Sequence, residues 1–515
     1  MAAAASNERM IAGVAAASVS LGVAQLVGIP FGARADARTA IAASIVDLTP
    51  GPIKEWAIQT LGSLDKLFLA VVVLVVIATV AAIAGSLETR RRPIGSAVIV
   101  AAGVLGCIAV LSRQGATALD TIPTVMGAGC GVAALRLLTR RFWPGLGDLE
   151  GGADHDEPDV GRRKLVMFGL LGFGVVSGVV GAVITRFVHS VAADRSSFAL
   201  PRPRISAPPI PADVQPNGVA LPSFITANAD FYRVDTALTV PQLSHRDWRL
   251  RIHGMVDREA TYSFDELAGF DVVEMVMTLT CVSNPVGGPY ISTGVWTGYR
   301  VADLLAAARV HTDADMVLST SIDGFTAGTP VEALTDARNA LLAVGLNGQP
   351  LPIEHGYPAR LVVPGLYGYV SATKWVVDME LTRFDKATAY WTRMGWAPRA
   401  PIKTESRIDV PKGGQKLSMR PVVFGGVAWA QNRGVRLVEV RIDDGVWQPA
   451  ELGASYSNAT WRLWSFPWQA KSQGKHSITV RATDNTGATQ TADQVDTVPD
   501  GATGWHTVDF TVAQT

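Results

Sequence analysis

The chain has 515 residues, and its length alone suggests roughly three to four structural units rather than one ordinary domain. Lysine and arginine together number 45, as do aspartate and glutamate, so the formal net charge is zero. Without a basic excess nothing attracts the chain generally to nucleic acid, and without an acidic excess nothing indicates disorder. Recognition of nucleic acid is therefore not expected.

Five apolar segments near the amino terminus are long enough to cross a membrane. A helix rises 1.5 Å per residue and a hydrocarbon core is about 30 Å thick, so roughly 17 to 25 apolar residues suffice. The predicted spans are residues 10–33, 66–87, 93–111, 121–139 and 165–188. Residues 34–65 are mildly amphipathic and contain Pro50 and Pro52, so they are predicted to form an interfacial loop. Residues 1–190 are accordingly predicted to be an all-α transmembrane bundle.

Basic residues between the spans predict the orientation of this bundle. They cluster after the second and fourth spans and before the fifth, which places every cluster on one side: Arg90, Arg91, Arg92, Arg140, Arg141, Arg162, Arg163 and Lys164. Positive clusters mark the cytoplasmic side. We therefore expect a plasma-membrane protein whose amino terminus is cytoplasmic and whose chain after about Ser190 is extracytoplasmic, although Arg34 and Arg38 in the first external loop point the other way.

The basic pair Arg162-Arg163 has two interpretations. It resembles a twin-arginine export signal placed inside the chain, and it also fits a simple topology anchor. A transmembrane b-type haem would need paired axial histidines, and His189, at an outer end, is the histidine nearest any span. We therefore expect an anchor without haem.

A proline-rich stretch follows the last span. Its prolines are Pro201, Pro203, Pro208, Pro209, Pro211 and Pro216. Such a composition favours a semi-rigid extended chain, so residues 191–221 are predicted to be a linker that lifts the following domains off the membrane.

Cys281 is the one cysteine, of three in the chain, outside the predicted spans. A structural cysteine in an exported domain would normally pair in a disulfide, so Cys281 is either a small buried hydrophobe or a thiolate with a chemical role. A strand-like run, residues 276–280, precedes it, and a cluster of turn formers, residues 282–288, follows. A thiolate at a strand exit could reach into a cofactor cleft, and thiolates suit transition metals.

Several motifs in this region, taken together, resemble one known family. They are Thr278-Leu279-Thr280-Cys281-Val282-Ser283-Asn284, Gly294-Val295-Trp296-Thr297-Gly298, Asp303-Leu304-Leu305, Leu346-Asn347-Gly348-Gln349-Pro350-Leu351, residues 355–365 beginning His355-Gly356-Tyr357-Pro358-Ala359-Arg360, and Thr373-Lys374-Trp375. In this order they resemble the core of the sulfite oxidase family of molybdopterin enzymes. The resemblance implies an α+β molybdopterin-binding domain over residues 222–390.

The resemblance also implies the roles of individual residues. Cys281 would be the protein ligand to molybdenum, beside the two dithiolene sulfurs of the cofactor. His355, Arg360 and Lys374 match positions that hold the pterin and its phosphate or line the approach to the metal, and Ser371 is a further candidate for that role. Arginine and lysine donors suit an anionic phosphate.

Upstream residues extend this implied site. Phe231-Tyr232-Arg233 resembles the family segment whose arginine faces the metal, so Tyr232 is expected at the cofactor and Arg233 at the reacting centre, although Asp235 stands where many members have histidine. Asn284 matches a polar residue beside the ligand cysteine. Sulfite oxidases proper carry a tyrosine where this chain has Phe325, and phenylalanine cannot donate a proton or hydrogen bond, which argues against sulfite as substrate.

The last region, residues 391–515, alternates apolar and polar residues between turn signals, as an all-β sandwich does. It resembles the immunoglobulin-like dimerisation domain of the same family, so a homodimer is expected. Five tryptophans are predicted to lie in the sandwich core rather than to form a sugar-binding platform: Trp429, Trp447, Trp461, Trp464 and Trp468.

Together these features predict a membrane-anchored, molybdenum-cofactor-dependent oxidoreductase. Oxygen-atom transfer with two electrons is the expected reaction, on a small molecule such as a sulfur oxyanion or sulfoxide. Electrons would pass to or from an external partner such as a cytochrome. A pterin cofactor is inserted in the cytoplasm, which favours the export interpretation of Arg162-Arg163. The alternative is a surface-binding protein built on a cofactor-free scaffold.

Overall fold

The computed structural model describes residues 2–50, 53, 56–57, 60, 65–89, 91–113, 116–139 and 160–513. The chain divides into two compact units. Unit 1 comprises residues 1–190 with 237–240, and unit 2 comprises residues 191–236 and 241–515.

Helices form unit 1. Within the described residues they are α1 (Ala2–Gly28), α2 (Ala37–Leu48), α3 (Asp65–Ser86), α4 (Ile94–Leu111), α5 (Ile122–Thr139) and α6 (Val160–Val188). In the part of the chain that the structure describes, five helical segments are long and apolar enough to cross a membrane, which confirms the five apolar helices predicted from the sequence. The interfacial loop predicted for residues 34–65 is partly wrong, because α2 lies within it. The helix ends at Leu48, shortly before Pro50, a residue that cannot continue a regular helix.

Helix α1 lies at the centre of unit 1, where glycines let its backbone approach its neighbours. A Cβ built on Gly22 would lie 2.3 Å from the carbonyl oxygen of Gly174 in α6. Only hydrogen fits at such a contact, as is common where apolar helices pack. At the end of α6, Nε2 of His189 lies 2.6 Å from the carbonyl oxygen of Ile29. Arg90, Arg140 and Arg141, and the side chains of Arg162, Arg163 and Lys164, fall outside the described residues.

The first part of unit 2 is α+β, as predicted. Its helices are α7 (Ala192–Ser197), α8 (Phe264–Leu267), α9 (Val301–Ala308), α10 (Val331–Thr335) and α11 (Tyr390–Arg393). Its strands are β1 (Leu250–Gly254), β2 (Ala260–Tyr262), β3 (Val272–Thr280), β4 (Ile291–Arg300), β5 (Met316–Ser321), β6 (Thr326–Pro330), β7 (Leu341–Leu346), β8 (Gln349–Pro350), β9 (Arg360–Val362) and β10 (Val376–Thr382).

These strands form two sheets. One has the order β2-β1-β10-β5-β6, and the other has the order β3-β4-β7-β8 with β9 also paired to β7. Strand β3 pairs antiparallel with β4 along its whole length, from Val272 opposite Tyr299 to Thr280 opposite Ile291. Strand β3 is therefore the edge of its sheet, and Cys281 follows its last residue.

The proline-rich segment 191–221 is not a free spacer, which corrects the expectation of a tether. It belongs to unit 2 and bonds to it. The amide of Arg204 donates to the carbonyl of Val272, the amide of Glu274 donates to the carbonyl of Ile205, and Val214 is buried. Its extended conformation is used to cover the first half of the β3 edge.

The carboxyl-terminal part of unit 2, residues 391–513, begins with the end of α11 and is otherwise all-β. Its strands are β11 (Glu405–Val410), β12 (Lys416–Ser418), β13 (Val422–Trp429), β14 (Val435–Ile442), β15 (Gln448–Pro449), β16 (Glu451–Leu452), β17 (Arg462–Trp468), β18 (Gly474–Asp484) and β19 (His506–Ala513). Two sheets, β11-β13-β17-β16 and β12-β19-β18-β14-β15, share a core that contains Phe424, Trp464 and Phe510. We call residues 391–513 the carboxyl-terminal β region.

The tryptophans of this region differ in their positions. Trp464 is buried in the sandwich core and Trp468 packs against that core, as predicted. Trp429 and Trp461 are buried in a different core, which includes Trp248 and Val376 of the first part of unit 2, so the prediction is wrong for them. Trp447 lies in neither core. Its ring lies against Trp505, with the guanidinium carbons of Arg441 and Arg481 5.0 and 4.2 Å from its centroid. The amphipathic indole here serves a cation–aromatic cluster near the surface rather than the core.

Candidate active site around Cys281

Cys281 is held at the exit of β3 by backbone hydrogen bonds on both sides. Its amide donates to the carbonyl of Tyr290 over 3.0 Å, and its carbonyl accepts from the amide of Asn284 over 3.3 Å. The side-chain oxygen of Asn284 in turn accepts from the amide of Tyr290 at 2.8 Å. Asn284 thus closes the loop that follows the cysteine. The half-buried thiol is presented from a tight turn between two strands.

Tyr232 interacts electrostatically with this thiol and with Arg360. Burial raises the pKa of Tyr232 far above its usual value, the negative charge of Cys281 raises it further, and the guanidinium of Arg360 opposes the rise. The phenol ring of Tyr232 stands 5.9 Å from Phe231 and 6.3 Å from Tyr290. Tyr232 therefore remains a neutral hydrogen-bonding group beside the cysteine at physiological pH.

Arg360 opens β9 as a buried cation. Its guanidinium donates to the carbonyl of His355 at 3.1 Å and of Ala372 at 3.2 Å, and lies 5.4 Å from the Trp296 ring centroid. Burial lowers its pKa to about 10, so it stays charged at neutral pH. Within the described residues it has no ion pair with a carboxylate. The charge of Asp235 favours the charged form of Arg360 without a direct ion pair. Because a buried charge is costly, this position fits an anionic ligand.

Lys374 and Arg233 share one carboxylate, that of Asp235. The Lys374 ammonium donates to Asp235 at 3.0 Å and to the carbonyl of Glu354 at 3.0 Å, and Nε of Arg233 donates to Asp235 at 2.8 Å. Burial lowers the pKa of Lys374 to about 8, and Asp235 opposes that effect. The Asp235 side chain is 6% exposed, whereas that of Arg233 is 39% exposed. Arg233 is thus the cation that solvent can reach.

His355 lies among these cations as a neutral imidazole. Burial lowers its pKa to about 3, and the charges of Lys374, Arg360 and Arg233 act in the same direction. Its ring stands 5.6 Å from that of Phe231. A neutral imidazole has one donor and one acceptor nitrogen, so His355 can bond a polar heterocycle from either side.

Ser371 differs from the other predicted residues. Its hydroxyl is fully buried and donates to the carbonyls of Tyr367 and Leu366 at 2.9 and 3.2 Å. This hydroxyl stabilises the turn before Lys374. Because its hydrogen is used in that turn, the hydroxyl could only accept a hydrogen bond from a ligand. The structure therefore links Tyr232 with both Cys281 and Arg360, and links His355 with Lys374, Arg360 and Arg233. Ser371 instead supports the backbone turn before Lys374.

Sequence reasoning did not identify three further residues near this site. Asp235 was noted as a departure from histidine but not as the partner of Lys374. Burial raises the pKa of Asp323, and the charge of Asp235 raises it further. Burial raises the pKa of Tyr367, the negative charge of Glu405 raises it further, and Cys281 makes a smaller contribution in the same direction. Phe325, where sulfite oxidases have tyrosine, contacts the ring of Tyr390 at 5.9 Å.

The residues fit a molybdenum–pterin group better than a metal held by protein alone. In the described part of the chain, no group of three or more His, Cys, Asp or Glu side chains could hold a metal ion. A metal at Cys281 would need further ligands from a cofactor, which the dithiolene of a pterin provides. The buried cation Arg360 and the neutral His355 suit its phosphate and ring.

Comparisons with known proteins point to the same group. A family model described as an oxidoreductase molybdopterin-binding domain matches residues 237–391. Mitochondrial sulfite oxidase of Rattus norvegicus is 29% identical over 311 residues, which are 51% of this chain and 56% of that protein. The uncharacterized oxidoreductase YuiH of Bacillus subtilis is 33% identical over 152 residues, which are 30% of this chain and 73% of that protein. The structure of the sulfane dehydrogenase SoxCD from Paracoccus pantotrophus matches 56% of this chain and 81% of that chain, with 22% identity and a TM-score of 0.48.

Fold, site and matched region define a molybdopterin-binding oxidoreductase. More narrowly, the chain belongs to the sulfite oxidase family of molybdenum-dependent oxidoreductases. The chain spans about half the length of the mammalian sulfite oxidases that it matches.

Proposed function

We propose that this protein is a membrane-anchored oxidoreductase whose exported unit 2 holds a molybdenum–pterin cofactor through Cys281. The observation that carries the proposal is that Tyr232 interacts with both the Cys281 thiol and the buried cation Arg360, and the thiol and the cation lie inside the region that the molybdopterin family model matches. A thiolate is a suitable ligand for molybdenum, and a buried guanidinium is a suitable partner for a phosphate.

Each polar side chain has a distinct task in this proposal. Arg360 and Lys374 bind the cofactor phosphate or line the approach to the metal, His355 bonds the pterin ring, and Tyr232 packs against it. Arg233 is the more exposed cation and orients an anionic or strongly dipolar substrate. Asn284 and Ser371 fix the backbone turns that present Cys281 and Lys374.

The cofactor, when bound, supplies a metal that can gain or lose an oxygen atom with two electrons. The substrate is a small sulfur oxyanion or sulfoxide. Sulfite itself is disfavoured, because Phe325 cannot donate the hydrogen bond or proton that a tyrosine supplies to oxyanion chemistry. Electrons pass to or from an external carrier such as a cytochrome, because we expect no haem in the anchor.

The arrangement in the cell is part of the same proposal. The five apolar helices anchor the chain in the plasma membrane with the amino terminus inside and unit 2 outside. Arg162-Arg163 acts as an export signal, so that unit 2 crosses the membrane already loaded. The carboxyl-terminal β region is an immunoglobulin-like domain that forms a homodimer, and the functional domains remain those proposed from the sequence, 222–390 and 391–515.

The alternative function, a surface-binding protein on a cofactor-free scaffold, has less support. A scaffold without cofactor would have little use for Arg360, whose buried charge is favoured by Asp235 but forms no direct ion pair with a carboxylate in the described chain. The present site is costly unless an anion occupies it.

Metal analysis tests the proposed function directly. Full-length wild-type protein purified in detergent should contain about one molybdenum per chain, since one thiolate is offered as ligand. Cys281→Ser should lose bound molybdenum and turnover while it keeps the wild-type thermal midpoint. Cys130→Ser, in helix α5, is the matched control and should behave as wild type. Wild-type turnover in Cys281→Ser would overturn the proposal.

A further inference from the structure

We propose that the carboxyl-terminal β region positions Cys281, with Gln431 and Arg407 as its positioning residues. The role of Cys281 as metal ligand rests on the proposed function, whereas the contacts that fix it do not. They lie on both sides of the cysteine, on the strand before it and on the loop after it.

The strand before the cysteine is held along its open edge. Gln431, between β13 and β14, is fully buried and donates from Nε2 to the hydroxyl of Thr280 at 2.8 Å. Thr280 immediately precedes Cys281. Two residues earlier, the amide of Thr278 donates to the carbonyl of Ala459 at 3.0 Å, and its hydroxyl accepts from the amide of Trp461 at 2.8 Å. The β region thus covers the edge of β3 at Thr278 and Thr280, immediately before Cys281.

The loop after the cysteine is held from the other side. Nη1 of Arg407 donates to the carbonyl of Gly288 at 2.9 Å, while Nε and Nη2 of the same guanidinium bond Asp409 at 3.0 and 3.3 Å. His506, whose Nδ1 accepts from the amide of Ile408 at 2.9 Å, packs directly on Gly287. A Cβ built on Gly287 would come within 2.3 Å of that imidazole, and its φ of +75° also requires glycine.

Packing stability does not account for Gln431. Its Oε1 atom is buried and has no hydrogen-bond partner among the described residues. An unsatisfied buried oxygen is destabilising, and an apolar side chain of similar volume would fill the space without that cost. Compared with such an apolar side chain, the amide of Gln431 adds the hydrogen bond to Thr280. Gln431 therefore serves the position of the Cys281 strand rather than the core of its own region.

These contacts matter because a metal ligand must be fixed closely in place. Sites that work well are held to about 0.5 Å by residues around the ligands. Within its own part of unit 2, the backbone of Cys281 is bonded to Tyr290 and Asn284. Gln431 and Arg407 add restraint from outside that part. The β region thereby belongs to the active-site machinery.

The test measures the thiol itself, before any turnover. Full-length protein is purified from cells that make no molybdopterin, and the rate at which iodoacetamide alkylates Cys281 is followed at fixed pH by peptide mass. Gln431→Leu and Arg407→Met should each raise that rate about fivefold, the effect of one lost hydrogen bond on local opening. Arg407→Lys should restore part of the protection. Arg481→Met, which breaks an ion pair with Glu439 in the same region, should leave the rate unchanged.

Two further measurements separate positioning from general loosening. Thr280→Val removes the same hydrogen bond from the other side with little change of shape and should match Gln431→Leu. In molybdenum-loaded protein, Gln431→Leu should shift the Mo(V) electron paramagnetic resonance spectrum, whereas Arg481→Met should not. Wild-type alkylation rates in Gln431→Leu, Thr280→Val and Arg407→Met would overturn the proposal. Retained molybdenum in Cys281→Ser would instead overturn the ligand role and leave the alkylation result standing.

Discussion

Apolar side chains are exposed on the helices of unit 1 and buried in unit 2. In helix α3 of unit 1, Leu67 and Val75 are 62% and 57% exposed. In unit 2, side chains of the same chemistry are enclosed, and Leu342 and Val376 are fully buried. Large exposed apolar surfaces are unusual in water and ordinary in lipid. The same residue types thus form the exposed surface of a helix in unit 1 and the buried core in unit 2.

The two units also differ in the groups that they bury between their elements. Unit 1 brings its helices together through glycine, as at Gly22 and Gly174, where no side chain intervenes. Unit 2 buries charges such as Arg360 and Lys374 and bonds them to carbonyl oxygens and to Asp235. A buried charge is costly, so buried charges such as these are expected where a bound ligand offsets the cost. The difference supports the proposal that unit 1 anchors the chain and unit 2 carries the chemistry, and both parts of the proposal can be tested.

The largest expected effect concerns how unit 2 reaches its compartment. Replacing Arg162 and Arg163 together by lysine keeps the positive charge, so a pure topology anchor predicts almost no change. An export signal is read by a receptor, and the variant should leave unit 2 inside the cell. Protease accessibility of unit 2 in intact cells measures the outcome. Arg91→Lys is the matched control. Wild-type accessibility in the double variant would reduce the pair to a topology anchor.

The next effect is on cofactor retention in unit 2. Arg360→Lys keeps the charge but loses the planar guanidinium that donates to the carbonyls of His355 and Ala372. Loss of such supporting contacts typically lowers affinity about 10- to 100-fold, so bound pterin and molybdenum should fall together. Pterin fluorescence after release and metal analysis measure both. Arg338→Lys, paired with Asp336, is the control, and equal cofactor content in the two variants would refute the role of Arg360.

The sequence predicted those elements whose signal is local. The five apolar helices follow from long uncharged runs, and β3 followed by a turn at Cys281 follows from its residue types. Helix α2 was missed because it is short and only weakly amphipathic. The contacts of Gln431 with Thr280 and of Lys374 with Asp235 join residues 151 and 139 positions apart, and no local pattern encodes such pairs. Trp447 was assigned to the core because composition cannot tell which indole an arginine covers.

A third, smaller effect compares the surfaces of the two units. Val75→Lys places a charge on an apolar face of α3, which in a membrane costs about 2.5 to 3.5 kcal/mol near the helix centre. In water the same change at an exposed position would cost less than about 0.5 kcal/mol. Val446→Lys, at a 77% exposed position of unit 2, is the control for water. The fraction of full-length chain recovered in the membrane should fall for Val75→Lys and not for Val446→Lys. Equal recovery would mean that α3 does not face lipid.

The smallest effect is a pH dependence that belongs to unit 2. Burial raises the pKa of Glu405 to about 8, with Lys403 and a hydrogen bond from Gln490 acting against that rise. The folded chain therefore keeps a proton that the unfolded chain releases above the ordinary glutamate pKa of 4.5. The stability that the protonated group contributes is fully present below that pH and is lost as the pH rises through about 8.

Glu405→Gln keeps the shape of the protonated carboxyl and removes its titration. The variant should match wild type near pH 5 and become more stable by about 1 to 2 kcal/mol near pH 8, because partial relaxation reduces the full linkage value. Thermal midpoints in detergent, followed by tryptophan fluorescence, measure the difference. Glu451→Gln removes an exposed carboxylate that stays in water in both states, so it should follow wild type at both pH values. If Glu405→Gln also parallels wild type from pH 5 to pH 8, the buried carboxyl does not make the stability of unit 2 sensitive to pH.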